Sequence, residues 1–439
     1  MSVREAIYVL INERDDERVK SFFSYMKGNV LVLTTTRMLL YFSSRLVTPY
    51  FSLYVLSLGG TPAVIGLSES LASFATIFVY PVAGYLADRR GRVKIIGAAY
   101  FVRSMESILY FLANSWPILA LGKFTRGLSD FQSPAMGAIM ADSLPPEKRG
   151  VGFASMNALP NATAILAPYI AGYMITQYDL TLGMRYLCLL AAIGCILVAV
   201  FRLKFLKETI QDSGEEIHVR NVGALLKTSY QQTWETIKWI PKNLMALSFI
   251  TTISLFVAAM AGPFWVVYAV QEIGLSPLEW GSALFFVGLF NVAFAIPAGA
   301  VVDRFGKKNV LIVALAFSIF PVLLFPYCQT YLQLIIVLSL ITAIGMLLTP
   351  ACQALEADIV PREKRGRIVA AFGRGAITLR VTGVTAGFIP SIGSMFGSLA
   401  SGFIYMFNPT YPWILLAATL GLCLILAILF VKEPEKVEL

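Results

Sequence analysis

The decapeptide ADSLPPEKRG at Ala141–Gly150 returns in the second half of the chain as ADIVPREKRG at Ala357–Gly366. Seven of the ten positions are identical, and the spacing between the copies is 357 − 141 = 216 residues. Other markers keep nearly this spacing, namely Pro62 with Pro277 at 215, GYLADRRGRVK (84–94) with GAVVDRFGKKN (299–309) at 215, and SPA (133–135) with TPA (349–351) at 216. Such regular spacing indicates an internal duplication, so we expect two similar halves.

The composition is that of a membrane protein. Of 439 residues, 57% are hydrophobic and 14% are charged, whereas soluble domains average about 45–50% apolar and 25% charged residues. Apolar segments long enough to cross about 30 Å of hydrocarbon recur along the whole chain. These segments are 29–56, 63–87, 95–113, 117–141, 151–176, 185–206, 244–270, 279–302, 309–328, 332–357, 367–405 and 412–432. We therefore predict an all-α membrane protein in which twelve transmembrane helices form two pseudo-symmetric six-helix bundles.

The connectors between the segments alternate between basic and nearly uncharged. Connectors such as DRRGRVK (88–94) and PREKRGR (361–367) are basic, and basic loops stay on the cytoplasmic side of a membrane. An even number of spans then places both termini in the cytoplasm, and we expect the plasma (inner) membrane. The predicted units are a cytoplasmic amphipathic segment at 1–28, an N-terminal bundle at 29–206, a cytoplasmic linker with a surface helix at 207–243, a C-terminal bundle at 244–432 and a cytoplasmic tail at 433–439.

The connector after the second segment carries the most specific motif. GYLADRRGRVK (84–94) matches the pattern Gly-x-Leu-x-Asp-Arg-x-Gly-Arg-(Arg/Lys), and the second copy keeps both glycines, the aspartate and the first arginine. On these residues the sequence resembles the major facilitator superfamily over about 29–432. The resemblance implies a secondary transporter that works by alternating access, in which these loops latch the two halves on the cytoplasmic side. The residues assigned to this cytoplasmic gate are Gly84, Asp88, Arg89, Gly91, Arg92, Asp142, Arg149, Gly299, Asp303, Arg304, Gly306, Asp358 and Arg365.

Two motifs of the resemblance are altered in this chain. The fourth segment reads KFTRG where the family pattern is Arg-x-x-Gln-Gly, so Lys123 and Arg126 stand in the arginine and glutamine positions. The fifth segment reads APYIAG (167–172), a weakened form of the antiporter motif Gly-Pro-x-x-Gly-Gly. The resemblance therefore favours drug/proton antiport, in which a proton gradient drives the export of small organic solutes.

Ionisable residues within the spans are functional candidates, because each costs about 2.5–3.5 kcal/mol at the bilayer centre. Asp130 lies in mid-span, one helical turn from Arg126, and the two are expected to pair. A carboxylate released from an arginine in a dry site takes up a proton readily. The candidates for proton coupling are Asp130, Glu69 and Glu106.

The other two acids have expected partners of their own. Arg103 and Glu106 share a helix face at positions i and i+3, which favours a structural ion pair. Glu69 has no charged neighbour in its own segment, and Arg45 on the first segment is expected to reach toward it.

The first half holds most of the charge within the spans. Of eight ionisable residues there, five are basic and three acidic, and such an excess attracts an anionic solute. An alternative function is therefore the proton-coupled symport of organic anions, in which Arg45 and Arg126 hold a carboxylate or phosphate. A passive facilitator or a transporter-like sensor is a third alternative. The candidates for the substrate cavity are Arg45, Arg126, Asn157, Asn161, Trp265, Phe286 and Asn291.

The eleventh segment is longer than one span requires. It holds 39 residues at 367–405, which as one helix would extend for about 58 Å. The stretch GFIPSIGSMFGSLASG (387–402) is rich in glycine, serine and proline. We expect a helix break or a small outer cap there, with Pro390 in a mobile gate.

Motifs of other protein classes are missing from the sequence. It contains no P-loop, no nucleophile elbow and no set of histidines and cysteines at metal-binding spacing. We expect no enzyme, no metal and no cofactor, with an ion gradient, that of protons, as the driving force. The net charge of +9 belongs to cytoplasmic loops and does not indicate nucleic-acid binding. The expected partners are a small organic substrate and the lipid bilayer, and we expect a monomer.

Overall fold

The structure is a computed structural model that describes residues 26–89, 91–144, 149–210, 231, 234–235, 238, 242–359 and 387–431. Within these ranges the chain is α-helical and contains no strand. The helices are α1 (Asn29–Val47 and Phe51–Ser57), α2 (Pro62–Arg89), α3 (Arg92–Leu112), α4 (Trp116–Leu128 and Ser133–Asp142), α5 (Arg149–Thr163 and Ala167–Tyr178), α6 (Leu180–Phe205), α7 (Lys242–Ala261 and Trp265–Gln271), α8 (Pro277–Phe305), α9 (Lys307–Leu324), α10 (Tyr331–Ile359), α11 (Phe388–Phe407) and α12 (Tyr411–Phe430).

The predicted twelve-helix membrane fold is confirmed, and α4 is the polar member of the set. Eleven helices of the described chain are long and apolar enough to cross a membrane. The remaining one, α4, runs from Trp116 to Asp142 and is equally long, but it carries Lys123, Arg126 and Asp130 along its length. The span that looks least like a membrane helix is therefore the one that holds Asp130, one of the three candidates for proton coupling.

Prolines interrupt four of the spans in a regular way. A proline has no N–H to donate to the carbonyl one turn earlier, so the helix tightens or bends there. In each of the four cases a short 3₁₀ turn separates two helical pieces of one span. These turns are Thr48–Tyr50 in α1, Ser129–Gln132 in α4, Ala164–Leu166 in α5 and Gly262–Phe264 in α7. The breaks in α1 and α7 are equivalent, since Pro49 and Pro263 differ by 214 positions.

The two halves meet at two helix crossings. We call the side that holds the connectors at 58–61 and 272–276 the outer side, as the charge pattern predicts, and the opposite side the inner side. In the first crossing α2 packs against α11, with Gly402 against the backbone of Pro62 and Ala63. In the second, α5 packs against α8. Both crossings involve the outer ends of these helices, so the structure is closed on its outer side.

The crossing of α5 and α8 depends on glycine. A Cβ added to Gly172 would collide with the backbone of Pro277, and one added to Gly281 would collide with the backbone of Pro168. Without those Cβ atoms the two backbones approach closely enough to share one buried side chain. That side chain is Tyr50 of α1, whose hydroxyl lies near both glycines.

Tyr50 joins the two halves through its hydroxyl group. The side chain is fully buried, and its oxygen lies 2.8 Å from the carbonyl oxygen of Pro168 and 2.9 Å from that of Pro277. A hydroxyl has one proton, so it donates to one of these carbonyls at a time or is shared between them. The equivalent position in the second half is Phe264 (264 − 50 = 214), which has no hydroxyl. The bridge is thus a departure from the internal symmetry.

The next turn of α1 shows the symmetry intact. Tyr54 donates to the carbonyl of Tyr110 at 2.9 Å, and its counterpart Tyr268 donates to the carbonyl of Pro326 at 2.8 Å. Each bond ties the outer end of the first helix of a half to the end of the third. The same contact in both halves supports the duplication that the sequence indicates.

The described part of the eleventh segment begins at Gly387, which is not helical and precedes a helix, so a break at the inner end of the predicted stretch stays a prediction. Phe388–Phe407 is one helix of 20 residues, and it includes nearly all of the glycine- and serine-rich stretch. Pro390 lies in its first turn, where a proline removes no hydrogen bond. The segment at 367–386 and Arg365 lie outside the described residues, as do 1–25 and most of the predicted linker.

Replacing Tyr50 by Phe should shift the protein toward an outer-open state. The change removes a hydrogen bond between the halves that forms only when the outer side is closed, and such a bond contributes about 0.5–1.5 kcal/mol. The ratio of open to closed protein should therefore rise about two- to tenfold. The measurement is the rate at which a membrane-impermeant maleimide labels Leu278→Cys, since the native cysteines are buried.

Tyr54→Phe is the matched control for this experiment. It removes the same hydroxyl from the same helix, but its hydrogen bond to Tyr110 lies within the first half. Labelling of Leu278→Cys should stay at the unmodified rate in this background. Equal labelling rates in the two phenylalanine variants would contradict a role for Tyr50 in outer closure.

Candidate functional site

Asp130 occupies the break in the middle of α4. Pro134 cannot donate to the Asp130 carbonyl as an α-helix requires, and the N–H of Ser133 bonds that carbonyl in the tighter 3₁₀ pattern instead. Asp130 is buried, at 7% exposure. A 3₁₀ turn inside a long helix often marks a hinge or a functional site, and here the turn presents a carboxylate to the interior of the bundle.

The described hydrogen bond to the Asp130 carboxylate is long. It comes from the hydroxyl of Thr76 on α2, at 3.4 Å, whereas O–H···O bonds are commonly 2.5–3.0 Å. Thr76 divides its donor capacity, because its hydroxyl also lies 3.0 Å from the carbonyl of Ala72 and 3.4 Å from that of Gly127. Asp130 is thus held loosely compared with an acid in a salt bridge.

Arg126 pairs with Glu106 rather than with Asp130. The Nη1 atom of Arg126 lies 3.5 Å from Oε2 of Glu106 on α3. Two expectations are therefore corrected, the pairing of Arg126 with Asp130 and that of Arg103 with Glu106. For Arg126 and Asp130 the reason is the 3₁₀ turn, in which residues three apart eclipse, so the i, i+4 relation of a regular helix does not hold across it. For Arg103 the described ion-pair partner of Glu106 is instead Arg126 on the adjacent helix. Arg126, Arg103 and Glu106 still act electrostatically on Asp130.

Glu69 also has a different partner from the expected one. Lys123 of α4 reaches across to α2, and its Nζ atom lies 2.5 Å from Oε1 of Glu69. The same ammonium group sits 4.0 Å from the centre of the Phe51 ring. Arg45 instead donates to the Oδ1 atom of Asn161 at 3.3 Å. The expected contact between Arg45 and Glu69 is therefore wrong, because a lysine on the adjacent helix is nearer.

These contacts form one group of charges across α2, α3 and α4, which we call the charge cluster. It contains three acids and three bases, so it is neutral when all are ionised. Its members are Glu69, Glu106, Asp130, Arg103, Lys123 and Arg126. Two of the acids are in direct ion pairs, and Asp130 is the acid whose charge is compensated only at longer range.

A second polar group lies on α1 and α5. Arg37 donates to the Oδ1 atom of Asn157 at 2.9 Å and to the hydroxyl of Tyr41 at 3.0 Å. Arg45 bonds Asn161 in the same way, one turn further out. Asn157 and Asn161 are exposed, which agrees with the predicted cavity position, and Arg37 is a member of this group that the sequence reasoning did not select.

Two of the predicted cavity residues lie elsewhere, and a third is exposed. Trp265 is buried at 3% exposure among Phe325 and Trp413, at centroid distances of 4.4 and 5.7 Å, so it belongs to the core of the second half. Phe286 is exposed, but it lies about 160° around α8 from Gly288, which faces α5. It therefore points away from the space between the halves. Asn291 is exposed one turn inward from Gly288.

Two of the four predicted gate aspartates, Asp142 and Asp358, form described ion pairs at the inner side. Asp142 at the end of α4 pairs with Arg92 at the start of α3, and Asp358 at the end of α10 pairs with Lys307 at the start of α9. The two pairs occupy equivalent places in the repeat. Each described pair lies within one half, so in this outer-closed structure these pairs tie helix ends of the same bundle together.

The remaining gate residues are placed less completely. Gly306 has a positive φ of 85° and precedes α9, as a tight turn between helices requires, and Gly91 precedes α3. Arg304 is exposed near the end of α8. The backbones of Gly84, Asp88, Arg89, Arg149, Gly299 and Asp303 are helical. Apart from Gly299, the side chains of these residues lie outside the described part of the structure, so their expected latch contacts stay predictions. At Gly299 the space that a Cβ atom would occupy is open.

Metal chemistry has no support in the part of the chain that the structure describes. No group of three histidine, cysteine, aspartate or glutamate side chains there is arranged to hold a metal ion. The five cysteines are buried and unpaired.

Comparisons with known proteins agree with this architecture. A family model described as "Major Facilitator Superfamily" matches residues 33–242 and 247–439. The multidrug resistance protein MdtG of Escherichia coli is 28% identical over 382 residues, which cover 84% of this chain and 89% of that protein. The human organic anion transporter MFSD10 (TETRAN) has a similar structure, with a TM-score of 0.65 and 17% identity over 91% of this chain and 98% of that one. A D-xylose–proton symporter also gives a TM-score of 0.65 and 17% identity, over 92% and 97% of the chains.

Removing the partner of Arg126 should destabilise the bundle. Glu106→Gln leaves the guanidinium group of Arg126, whose side chain is 24% exposed, without its ion pair. Breaking a fully buried pair costs about 3–5 kcal/mol, so we expect a loss below that range. We expect a lower unfolding temperature in detergent. Glu69→Gln should also destabilise the bundle, because it leaves the ammonium group of Lys123, whose side chain is 11% exposed, without its ion pair.

A double substitution tests whether the loss comes from the unpaired charge. Glu106→Gln combined with Arg126→Gln removes both charges and should recover part of the stability lost in Glu106→Gln alone. Additive losses in the double variant would mean that the pair does not contribute through its mutual attraction.

Proposed function

Because the chain belongs to the Major Facilitator Superfamily, we propose that it exports small, partly hydrophobic organic solutes and that protons entering the cell drive this export. The chain is a membrane transporter and not an enzyme. Beyond its being a transporter, we propose that the direction is export, that the coupling ion is the proton and that one residue carries the proton. The residue is Asp130.

The state of Asp130 is the observation that carries the proposal. It is a buried carboxylate whose neighbour Arg126 is engaged by Glu106, and whose described hydrogen bond to Thr76 is 3.4 Å long. Burial disfavours the charged form of a carboxylate, and a nearby cation favours it. An acid under both influences can change protonation when a helix moves and alters one of them, whereas a direct salt bridge favours the charged form.

The helix arrangement connects protonation to the change of shape. Asp130 belongs to α4, and its hydroxyl partner Thr76 belongs to α2, which is also the helix that contacts α11 of the other half. Movement of α2 during opening therefore alters the surroundings of Asp130. A protonated Asp130 has no charge to dehydrate, so it moves through the apolar interior at lower cost than the carboxylate.

The direction of transport is supported by the relatives. The Escherichia coli protein that matches 84% of this chain carries the name multidrug resistance protein. The altered antiporter motif at 167–172 lies in the crossing of α5 and α8, where Pro168 accepts from Tyr50. The motif thus lies where the two halves close the outer side. This position favours antiport, because an exporter must keep its outer side closed against leakage of the solute back into the cell.

Asp130→Asn should abolish gradient-driven transport and retain exchange. Asparagine keeps the shape of the side chain and cannot carry a proton between the two states. We expect proteoliposomes with this variant to fail to accumulate solute under an imposed pH gradient and to retain solute exchange at equal pH. The solute is one selected by thermal stabilisation of the protein.

Asp179→Asn is the control carboxylate. Asp179 caps α6 at the outer side, where it accepts from the N–H of Leu182 at 2.9 Å, far from the charge cluster. Its variant should transport as the unmodified protein does. Accumulation by Asp130→Asn at the unmodified rate would sink the proposal that Asp130 carries the proton, and a flux that never responds to the gradient would favour a passive facilitator.

A further inference from the structure

The described partners of the half-buried Arg37 and Arg45 are all neutral. Arg185 and Arg202 also have neutral partners, but theirs are a carbonyl and a hydroxyl inside the first-half bundle, whereas Arg37 and Arg45 reach exposed amides of α5. Arg37 contacts the amide of Asn157, the hydroxyl of Tyr41 and, at 3.4 Å, the sulfur of Met140. Arg45 contacts the amide of Asn161. The three acids of the charge cluster are matched by three bases, so the charges of these two guanidinium groups are left uncompensated.

The two asparagines lie on the face of α5 that turns toward the second half. Residues on one helix face recur every three or four positions, and this face comprises Asn157, Asn161, Ile165, Pro168 and Gly172. Its outer members make the contacts between halves: Ile165 packs on Gly288 of α8, and Pro168 lies against Gly281. Asn161 and Asn157 are the next two turns inward, and both are exposed. Part of Arg149–Thr163 still contacts α8, so the exposed amides on this face lie at the edge of the space between the halves.

The two guanidinium groups converge on this space. Arg37 and Arg45 are eight residues apart on α1, which separates their Cα atoms by about 12 Å along the helix. Their partners Asn157 and Asn161 are four residues apart, which is about 6 Å. The two charged ends are therefore closer together than their backbones, with Tyr41 between them on α1. Two like charges at this spacing repel, and an anion between them removes the repulsion.

The opposite wall is mostly apolar. On α8, the positions that continue the contact face around and inward of Gly288 are Phe285, Val292 and Asn291. Phe285 is half-buried beside Tyr169 of α5, at a ring distance of 6.2 Å, and Val292 is exposed. A ligand in this space meets two arginines on one side and apolar side chains on the other.

We infer that Arg37 and Arg45 form the acid-binding end of the substrate site, and that the transported solutes are amphiphilic organic anions. The acid group, a carboxylate, sulfonate or phosphonate, lies between the two guanidinium groups, and the apolar body lies against α8. The inference rests on the proposed function in one respect, since it names the substrate class of the same cavity. It reassigns the cationic role from Arg126, which Glu106 already occupies.

The test compares two fluorescent probes that differ in one charge. Dansylglycine carries a carboxylate on an apolar body, and dansylglycinamide replaces that carboxylate with a neutral amide. Both are titrated into the purified full-length protein at neutral pH. We expect saturable binding of dansylglycine and at least about tenfold weaker binding of the amide, because the amide leaves the two arginines without a counter-charge.

Arginine variants locate the preference. Arg37→Gln and Arg45→Gln should each reduce dansylglycine affinity by about tenfold or more and bring the two probes to similar affinities. Arg37→Lys and Arg45→Lys keep the charge and should keep a preference for the acid, which separates loss of charge from loss of fold. Arg185→Gln is the matched control, because Arg185 binds the carbonyl of Ala113 at the outer end of α6 and should not affect either probe.

Three results would overturn the inference: no saturable binding of dansylglycine to the unmodified protein, equal affinities for the acid and the amide, or an acid preference that survives both glutamine variants. These outcomes are independent of proton coupling, because binding is measured without a gradient. If Asp130→Asn retains driven transport while the acid preference holds, the coupling proposal fails and the substrate class stands. If the preference is absent while Asp130→Asn loses coupling, the reverse is true.

Discussion

The salt bridge between Arg126 and Glu106 is the interaction on which the rest of the site depends. The hydrocarbon interior does not accommodate an isolated charge, so the guanidinium group in the middle of α4 requires an acid. Three acids act on it electrostatically, namely Glu106 on α3, Asp130 on its own helix and, with the smallest effect, Glu69 on α2. Because the 3₁₀ turn at Ser129–Gln132 changes the winding of α4, Glu106 makes the direct pair and Asp130 keeps only a long hydrogen bond from Thr76. The same arrangement stabilises the bundle and leaves one carboxylate available.

The duplicated scaffold separates what holds the halves together from what distinguishes them. Both halves repeat the tyrosine bond of Tyr54 and the inner ion pair of Asp142 with Arg92, which their counterparts Tyr268, Asp358 and Lys307 also form. The functional groups are not repeated, since Met346 stands at the position of Asp130 and Phe264 at that of Tyr50. One half thus carries the charges and the outer bridge. The other provides an apolar wall against which they act.

Much of the fold follows from the sequence, and much of the pairing does not. Apolar length predicts the spans, and a constant spacing predicts the duplication, because both are properties of the chain read in order. Partner choice depends on which helices lie side by side, which is why Glu69 binds Lys123 and not Arg45. The prediction that Trp265 lines the cavity is wrong for the same reason. An aromatic residue in an apolar span can belong to the core or to the cavity, and the neighbouring helices decide which. A usable signal for Tyr50 was present, namely the tyrosine-to-phenylalanine difference between otherwise similar copies.

The central claim is that Asp130 changes its protonation when the protein binds its solute and changes shape. The most direct measurement is the number of protons exchanged with solvent on ligand binding, followed with a pH-indicator dye in weakly buffered detergent solution. Binding of the solute and of the proton to one site or one conformation must be linked. We predict displacement of up to about one proton per protein in the unmodified chain and none in Asp130→Asn. The same proton exchange in both proteins would contradict the account.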